Sequence, residues 1–252
     1  MAKKFGLIGY PLTHSFSKKY FTEKFEKEAI ADCSYDLYET MEAKEFRKLF
    51  ENDPELVGIN VTIPHKQTII PYLKFNLDES AKFVGAVNVI KKEKDGSLKG
   101  YNSDFYGFKE SLLNILPEDT SSLRALVLGN GGAGKAVIAA LESIDIPFIL
   151  VSRSPDYEAE HEMLGYNDLD EKVMAKHQLI INTTPLGMYP KVDSFPPIPY
   201  EYITENHYLF DLVYNPAQTL FLLKGKERGA KTQFGLEMLH LQAEKAWEIW
   251  NS

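Results

Sequence analysis

The sequence predicts an α/β chain of two domains: an N-terminal α/β domain with a mixed sheet, and a Rossmann-like domain with a doubly wound parallel sheet. Three observations predict it. An apolar strand, a glycine-rich turn and a helix follow one another from Leu123 to Leu141. A second apolar strand, Pro147–Val151, returns at the spacing a βαβ unit requires. Polar and hydroxyl residues also recur where predicted strands end, the edge at which open α/β sheets bind ligands.

Residues Ala125 to Gly129 read as a buried parallel strand, and the helix that follows carries Val137, Ile138 and Leu141. Gly129, Gly131 and Gly134 fit G-x-G-x-x-G, with Asn130, Gly132 and Ala133 completing the loop. The first glycine turns the chain, the second lets the backbone approach a pyrophosphate, and the third packs helix on strand. Free N–H groups at the helix start favour an anion. The same stretch fits G-x-x-x-x-G-K up to Lys135, but Ala136 lacks the hydroxyl that would meet magnesium in a nucleoside triphosphate site. A glycine-rich turn without ligand is the plain alternative. After the second strand come Ser152, Arg153 and Ser154; the permanently charged fork of Arg153 suits a 2′-phosphate and favours NADP, while Asp156 leaves NAD open.

At 252 residues the chain suits two moderate domains, and 44% hydrophobic content is ordinary for a globular protein. No apolar run is long enough to span a bilayer, and no secretory leader is evident. Cys33 is the only cysteine, so no internal disulfide forms and a cytoplasmic home is expected. A net charge of −8 argues against nucleic acid as a partner.

Taken in order, Phe5–Gly9 reads as the first strand, followed by Thr13-His14-Ser15-Phe16-Ser17 and a helix carrying Phe21, Phe25 and Ala29. Ser15 or Ser17 could simply cap that helix; together they could grip a carboxylate. Tyr35–Tyr38 alternates as a strand, Met41–Phe50 has helical spacing, and Leu56–Thr62 is a third strand leading into Ile63-Pro64-His65-Lys66. Asn60, Thr62 and Lys66 thereby fall at a strand's C-terminal edge. Val84–Lys91 and Leu98–Asn102 read as a hairpin turning at Asp95-Gly96. Asn88 and Asp104 are polar residues on its arms, and Asp104 could equally N-cap the helix of Phe108 and Leu112.

That helix bridges into the second domain. Beyond the βαβ unit, Gln178–Asn182 is a strand ending in Thr183-Thr184-Pro185, and Tyr208–Val213 ends in Tyr214-Asn215-Pro216. Thr219–Arg228 reads as a helix, Lys231–Phe234 as a last strand, and Gly235–Trp250 as a helix containing Gln242. The domains are expected to be 1–103 with 236–252, and 104–235, with a cleft between them closing on ligands.

Together these residues resemble the shikimate dehydrogenase family along essentially the whole chain. The matching segments are Gly9-Tyr10-Pro11 with His14–Ser17, Gly58–Lys66, Gly85–Asn88, Gly100–Asp104, the glycine loop, Asn182–Met188, Asp211–Pro216, and Gly235–Leu239 with Gln242-Ala243. The resemblance implies NADP-linked interconversion of 3-dehydroshikimate and shikimate in aromatic amino-acid biosynthesis, by a monomer or homodimer. It implies that Ser15 and Ser17 hold the substrate carboxylate with Tyr214 assisting, and that Asn60, Thr62, Asn88 and Gln242 line the substrate. Lys66 and Asp104 form the catalytic pair: Lys66 donates the proton and stabilises the oxyanion, and Asp104 orients it. Cofactor contacts extend from Gly129–Ala133 and Ser152–Ser154 to Thr183, Met188, Gly235 and Met238. No metal is expected.

Two segments depart from the family pattern. Lys18 and Phe21-Thr22 stand where Pro and His-Asn are common, and Ser152-Arg153-Ser154 replaces Asn-Arg-Thr. The rivals are an NAD-linked quinate/shikimate dehydrogenase and a non-catalytic sensor that kept the fold.

Overall fold

The first strand, β1 (Lys3–Gly9), is buried along its second half, so it takes partners on both sides. The computed structural model describes residues 2–13, 15–74 and 76–252; His14 of the serine segment lies outside them. Helix α1 (Phe16–Lys27) leads to β2 (Cys33–Glu39), then α2 (Phe46–Asn52), β3 (Leu56–Val61), α3 (His65–Thr68), α4 (Glu79–Val84), β4 (Val89–Lys92), β5 (Leu98–Tyr101) and α5 (Asp104–Leu113). Among the described residues these strands form one mixed sheet in the order β2-β1-β3-β4-β5. The first three are parallel, and β4 and β5 are antiparallel.

The second half contains β6 (Ala125–Leu128), α6 (Gly132–Ser143), β7 (Phe148–Ser152), β8 (Met163–Gly165), α7 (Glu171–Lys176), β9 (Leu179–Asn182), β10 (Tyr208–Asp211), α8 (Leu220–Glu227), β11 (Lys231–Phe234) and α9 (Leu236–Asn251). Its strands run parallel in the order β11-β10-β9-β6-β7-β8. The α/β class, the mixed sheet and the separate parallel sheet agree with the sequence reading. Among the described residues no helix is long and apolar enough to cross a membrane.

The chain divides into two compact units, Met1–Asp104 with Gln242–Ser252, and Phe105–Leu241. Each has apolar clusters of its own. In the first, Phe5, Phe21, Phe25, Tyr35 and Trp250 pack together, and Ile8, Phe46, Leu56 and Ile59 belong to a second cluster. In the second, Phe108, Val127, Val137 and Phe210 share one cluster, and Leu126, Val151, Ile180 and Phe221 another. Alternate residues of β6 thus serve different clusters, as the period of two of a strand covered on both faces demands.

Strand order decides where ligands can enter. In the first sheet the chain runs from β1 to β2 on one side and then to β3 on the other, so the switch point lies between β1 and β3. In the second it lies between β6 and β9. Crevices open beyond the carboxyl ends of strands at such points.

Three expectations need correction. Val84 is the last residue of α4 and not the first of a hairpin arm, which starts at Val89. Asp78 caps α4 by accepting from Ser80 N, and Gly85 ends it with φ +66°. The Met41–Phe50 segment splits into a 3-10 turn at Ala43–Glu45 and α2. Asp104 is the first residue of α5 and not a residue preceding it.

Candidate active site

Residues of the first switch point come from the loops after β1 and β3 and from the start of α5. Lys66, on the one-turn helix α3, places its Nζ 2.7 Å from Asp104 Oδ2. The pair is half-buried, with side-chain exposures of 33% and 16%. The turn is pinned twice: Val87 N donates to Lys66 O at 2.7 Å, and buried His65 meets Thr40 O through Nε2 at 2.8 Å. Lysine has three N–H donors, so Asp104 occupies one.

Behind the pair sits a buried amide cluster. Asn88 Oδ1 accepts from Ser103 N at 2.7 Å, which turns Asn88 Nδ2 toward Ser103 Oγ at 3.0 Å and Gln242 Oε1 at 3.4 Å. Gln242 is contributed by α9, so residues 154 positions apart meet here. Asn60 uses both ends of its amide on the protein: Tyr35 donates to its Oδ1 at 2.7 Å, and its Nδ2 donates to Asn88 O at 3.3 Å.

The two serines differ. Ser15 is the N-cap of α1, its Oγ accepting from Lys18 N at 3.2 Å, which leaves its own proton to be donated. Ser17 hydrogen-bonds the fully buried Tyr35 phenol, whose pKa is pushed well up by desolvation, against the pull of that bond. Thr62 is half-buried at the end of β3, its N donating to Ile8 O at 2.9 Å.

The second switch point holds a cavity of ≈ 300 Å³ lined by Gly129, Asn130, Gly131, Ser152, Arg153 and Thr183 among the expected residues. Gly129 has φ +104°, and a Cβ there would come 2.9 Å from Thr183 Oγ1 and Thr184 Cγ2. Only glycine makes this turn without strain. A Cβ on Gly131 would meet nothing, so the loop is open on its outer side. Gly131 N-caps α6 without a side-chain bond; Gly134 N donates to Gly131 O at 3.0 Å, and the Gly132 and Ala133 N–H groups before it suit a ligand. Ser152 Oγ accepts from Ser154 N and donates to Ser154 O, both at 3.2 Å, closing the turn that carries Arg153.

An open glycine loop, a helix start without a side-chain cap and an adjacent guanidinium suit a dinucleotide with an extra phosphate. Gly132 and Ala133 form the first turn of α6. Met188 is exposed, Gly235 precedes α9, and Met238 lies in the apolar cluster with Phe108. None of these five residues, nor Ser154, lines the cavity. Tyr214 lies in the second unit, on the loop after β10, and is 37% exposed.

The cavity also takes Tyr166, Pro185, Leu186 and Pro197, none of which the sequence reading assigned to the cofactor. Pro185 and Leu186 continue the Thr183 edge and were within reach of the strand-end rule; Tyr166 and Pro197 arrive from distant loops and carry no local signal.

A family model for the shikimate dehydrogenase substrate binding domain matches residues 7–90. A curated shikimate dehydrogenase (NADP(+)) of Clostridium beijerinckii is 44% identical over 98% of this chain and 91% of its own length. The crystal structure of shikimate dehydrogenase from Aquifex aeolicus has a TM-score of 0.84 at 35% identity, covering 99% of this chain and 92% of that one. The Thermus thermophilus shikimate 5-dehydrogenase, crystallised with NADP(H) and shikimate, has a TM-score of 0.82 at 30% identity over 98% and 93%.

Proposed function

The chain belongs to the shikimate dehydrogenase family, and on that footing we propose that Lys66 and Asp104 are the proton-handling pair of its reaction. The activity is the NADP-linked oxidoreduction of shikimate and 3-dehydroshikimate in the shikimate pathway. The observation that carries the assignment is the half-buried 2.7 Å Lys66–Asp104 contact, with both main chains fixed by secondary structure.

Gly129–Gly131, the start of α6 and Arg153 would hold NADPH, which when bound would supply the hydride in the reducing direction. The substrate's carbonyl oxygen gains negative charge as its carbon is reduced. Lys66 faces that oxygen with an ammonium N–H, stabilises the charge and delivers the proton. Asp104 accepts from Lys66, holds the ammonium in line and meets a ring hydroxyl. Ser15, with a proton to donate, and Ser17 grip the carboxylate; Thr62, Asn88 and Gln242 meet the ring hydroxyls. Asn60 supports this wall through Tyr35 and Asn88 O.

The purified protein is expected to reduce NADP⁺ in a shikimate-dependent way. Lys66→Ala is expected to lower kcat by about 10²–10⁴-fold, the range of general acid–base catalysis, while shikimate binding measured by calorimetry stays within a few-fold. A variant with near-normal kcat removes Lys66 as the acid. Arg153→Ala is expected to weaken NADPH by about 10–100-fold, the worth of a lost charge-assisted hydrogen bond, and to leave NADH nearly unchanged. Equal effects on the two would detach Arg153 from the 2′-phosphate, and a preference for quinate with NAD would overturn the specificity.

A further inference from the structure

At the end of β10 the chain buries a carboxylate that does not line the cavity. Asp211 has no exposed surface. Its Oδ1 accepts from Asn182 Nδ2 at 2.9 Å and from Val213 N at 3.0 Å, and its Oδ2 accepts from Thr219 Oγ1 at 2.6 Å.

An ionised carboxylate only accepts, so it dictates the orientation of each partner. Asn182 must turn Nδ2 toward it, and Oδ1 then faces the following loop. There Oδ1 accepts from Thr184 N at 3.0 Å and from Thr184 Oγ1 at 2.6 Å, while Leu186 N donates to Thr184 Oγ1 at 3.3 Å and Asn182 Nδ2 also reaches Leu186 O at 3.3 Å. Thr184, Pro185 and Leu186 form one wall of the glycine-loop cavity.

The far end of that wall leads back to the same carboxylate. Gly187 has φ +90°, and a Cβ there would come 3.2 Å from Thr219 Cβ. Thr219 is the N-cap of α8 and the second side-chain partner of Asp211. Both ends of the 183–187 segment are therefore registered on one buried side chain, through an amide at one end and a threonine at the other.

We propose that Asp211 is the positioning residue of the NADP cavity, holding its 183–187 wall at the distance the dinucleotide requires. This rests on the reading of that cavity as the NADP site. A carboxylate that merely staples β10 to α8 would affect folding and both ligands alike.

The test is steady-state kinetics with NADP⁺ varied at saturating shikimate and the reverse, beside thermal melting. Asp211→Ala is expected to raise KM for NADP⁺ about tenfold with KM for shikimate within about twofold, as for one lost charged hydrogen-bond set. Asp211→Asn keeps an accepting oxygen for Asn182 and Val213 and offers N–H to Thr219, so it is expected to return KM for NADP⁺ to within about twofold of wild type. Should Asp211→Ala fail to fold, Thr219→Val removes one partner only and is expected to raise KM for NADP⁺ about threefold. Parallel rises in both KM values, unchanged KM values, or an Asn variant no better than the Ala or Val variant would overturn the role. Wild-type turnover of shikimate with NADP⁺ tests the reading of the cavity separately.

Discussion

Burying a carboxylate disfavours its charged form, and Asp211 carries the consequence: desolvation pushes its pKa up to about 6, against the hydrogen bonds from Thr219, Val213 N and Asn182 that favour ionisation. The Tyr200 phenol is itself driven well up by burial, and the Asp211 charge adds to that rise. An unfolded aspartate titrates near 3.9, so the folded form binds its proton more tightly. The contribution to stability is then complete below about pH 4 and is lost as pH rises through 6, amounting to about 3 kcal/mol for two pH units. Asp211→Asn has no such titration. Urea unfolding at several pH values between 4 and 7 is expected to show the Asn variant gaining on wild type as pH rises; a constant difference would refute the shifted proton affinity. Lys66 and Asp104 were legible as candidates because each follows the C-terminal end of a readable strand within a few residues, and the family resemblance pairs them. Asp211 was not, since nothing around it says that Asn182 and Thr219 converge there. Ser17 was legible as a hydroxyl at a helix start; its bond to Tyr35 joins segments whose pairing only the fold reveals.

Among the elements, legibility tracked length. The glycine loop with its flanking strand and helix was readable because apolar period and turn chemistry agree over about fifteen residues. Helix α4 spans six residues, too few for a 3.6 period to show, and its Val84 merges into the apolar residues before β4. Its signals were the caps, Asp78 and Gly85, and not its interior. Strand β8 and helix α7 were likewise too short to read. The long α9 shows the opposite case. Ala243, Ala246 and Trp250 form its buried face, with Trp250 4.9 Å from the Phe5 ring and its Nε1 donating to Ile90 O at 3.1 Å. Gln242 sits two turns earlier on the same helix. Trp250→Ala is expected to destabilise by about 3–5 kcal/mol through the cavity it leaves, with a further loss from the missing Nε1 bond to Ile90 O. It should also raise KM for shikimate, by unseating Gln242, more than KM for NADP⁺. Melting curves and the two KM values check this; an unchanged shikimate KM would mean that Gln242 is held by Asn88 and Ser103 alone.

At the scale of the whole chain, the same topological device is used twice, with a strand-order reversal between β1 and β3 and another between β6 and β9. Each unit has its own apolar clusters. The two tryptophans of the sequence, Trp247 and Trp250, both pack with Phe5 and Phe21 in the first. Indole fluorescence therefore reports on the unit carrying Lys66, while far-UV circular dichroism weighs both. A ligand that binds only the folded state stabilises by about 2.7 kcal/mol at a hundred times its Kd. On the proposed assignment of the substrate to the first unit, shikimate should accordingly raise the fluorescence midpoint in urea. NADP⁺, on its proposed assignment to the glycine loop of the second, should raise the dichroism midpoint and leave the fluorescence midpoint nearly where it was. Equal displacement of both signals by either ligand would show that the separate cores unfold as one cooperative system.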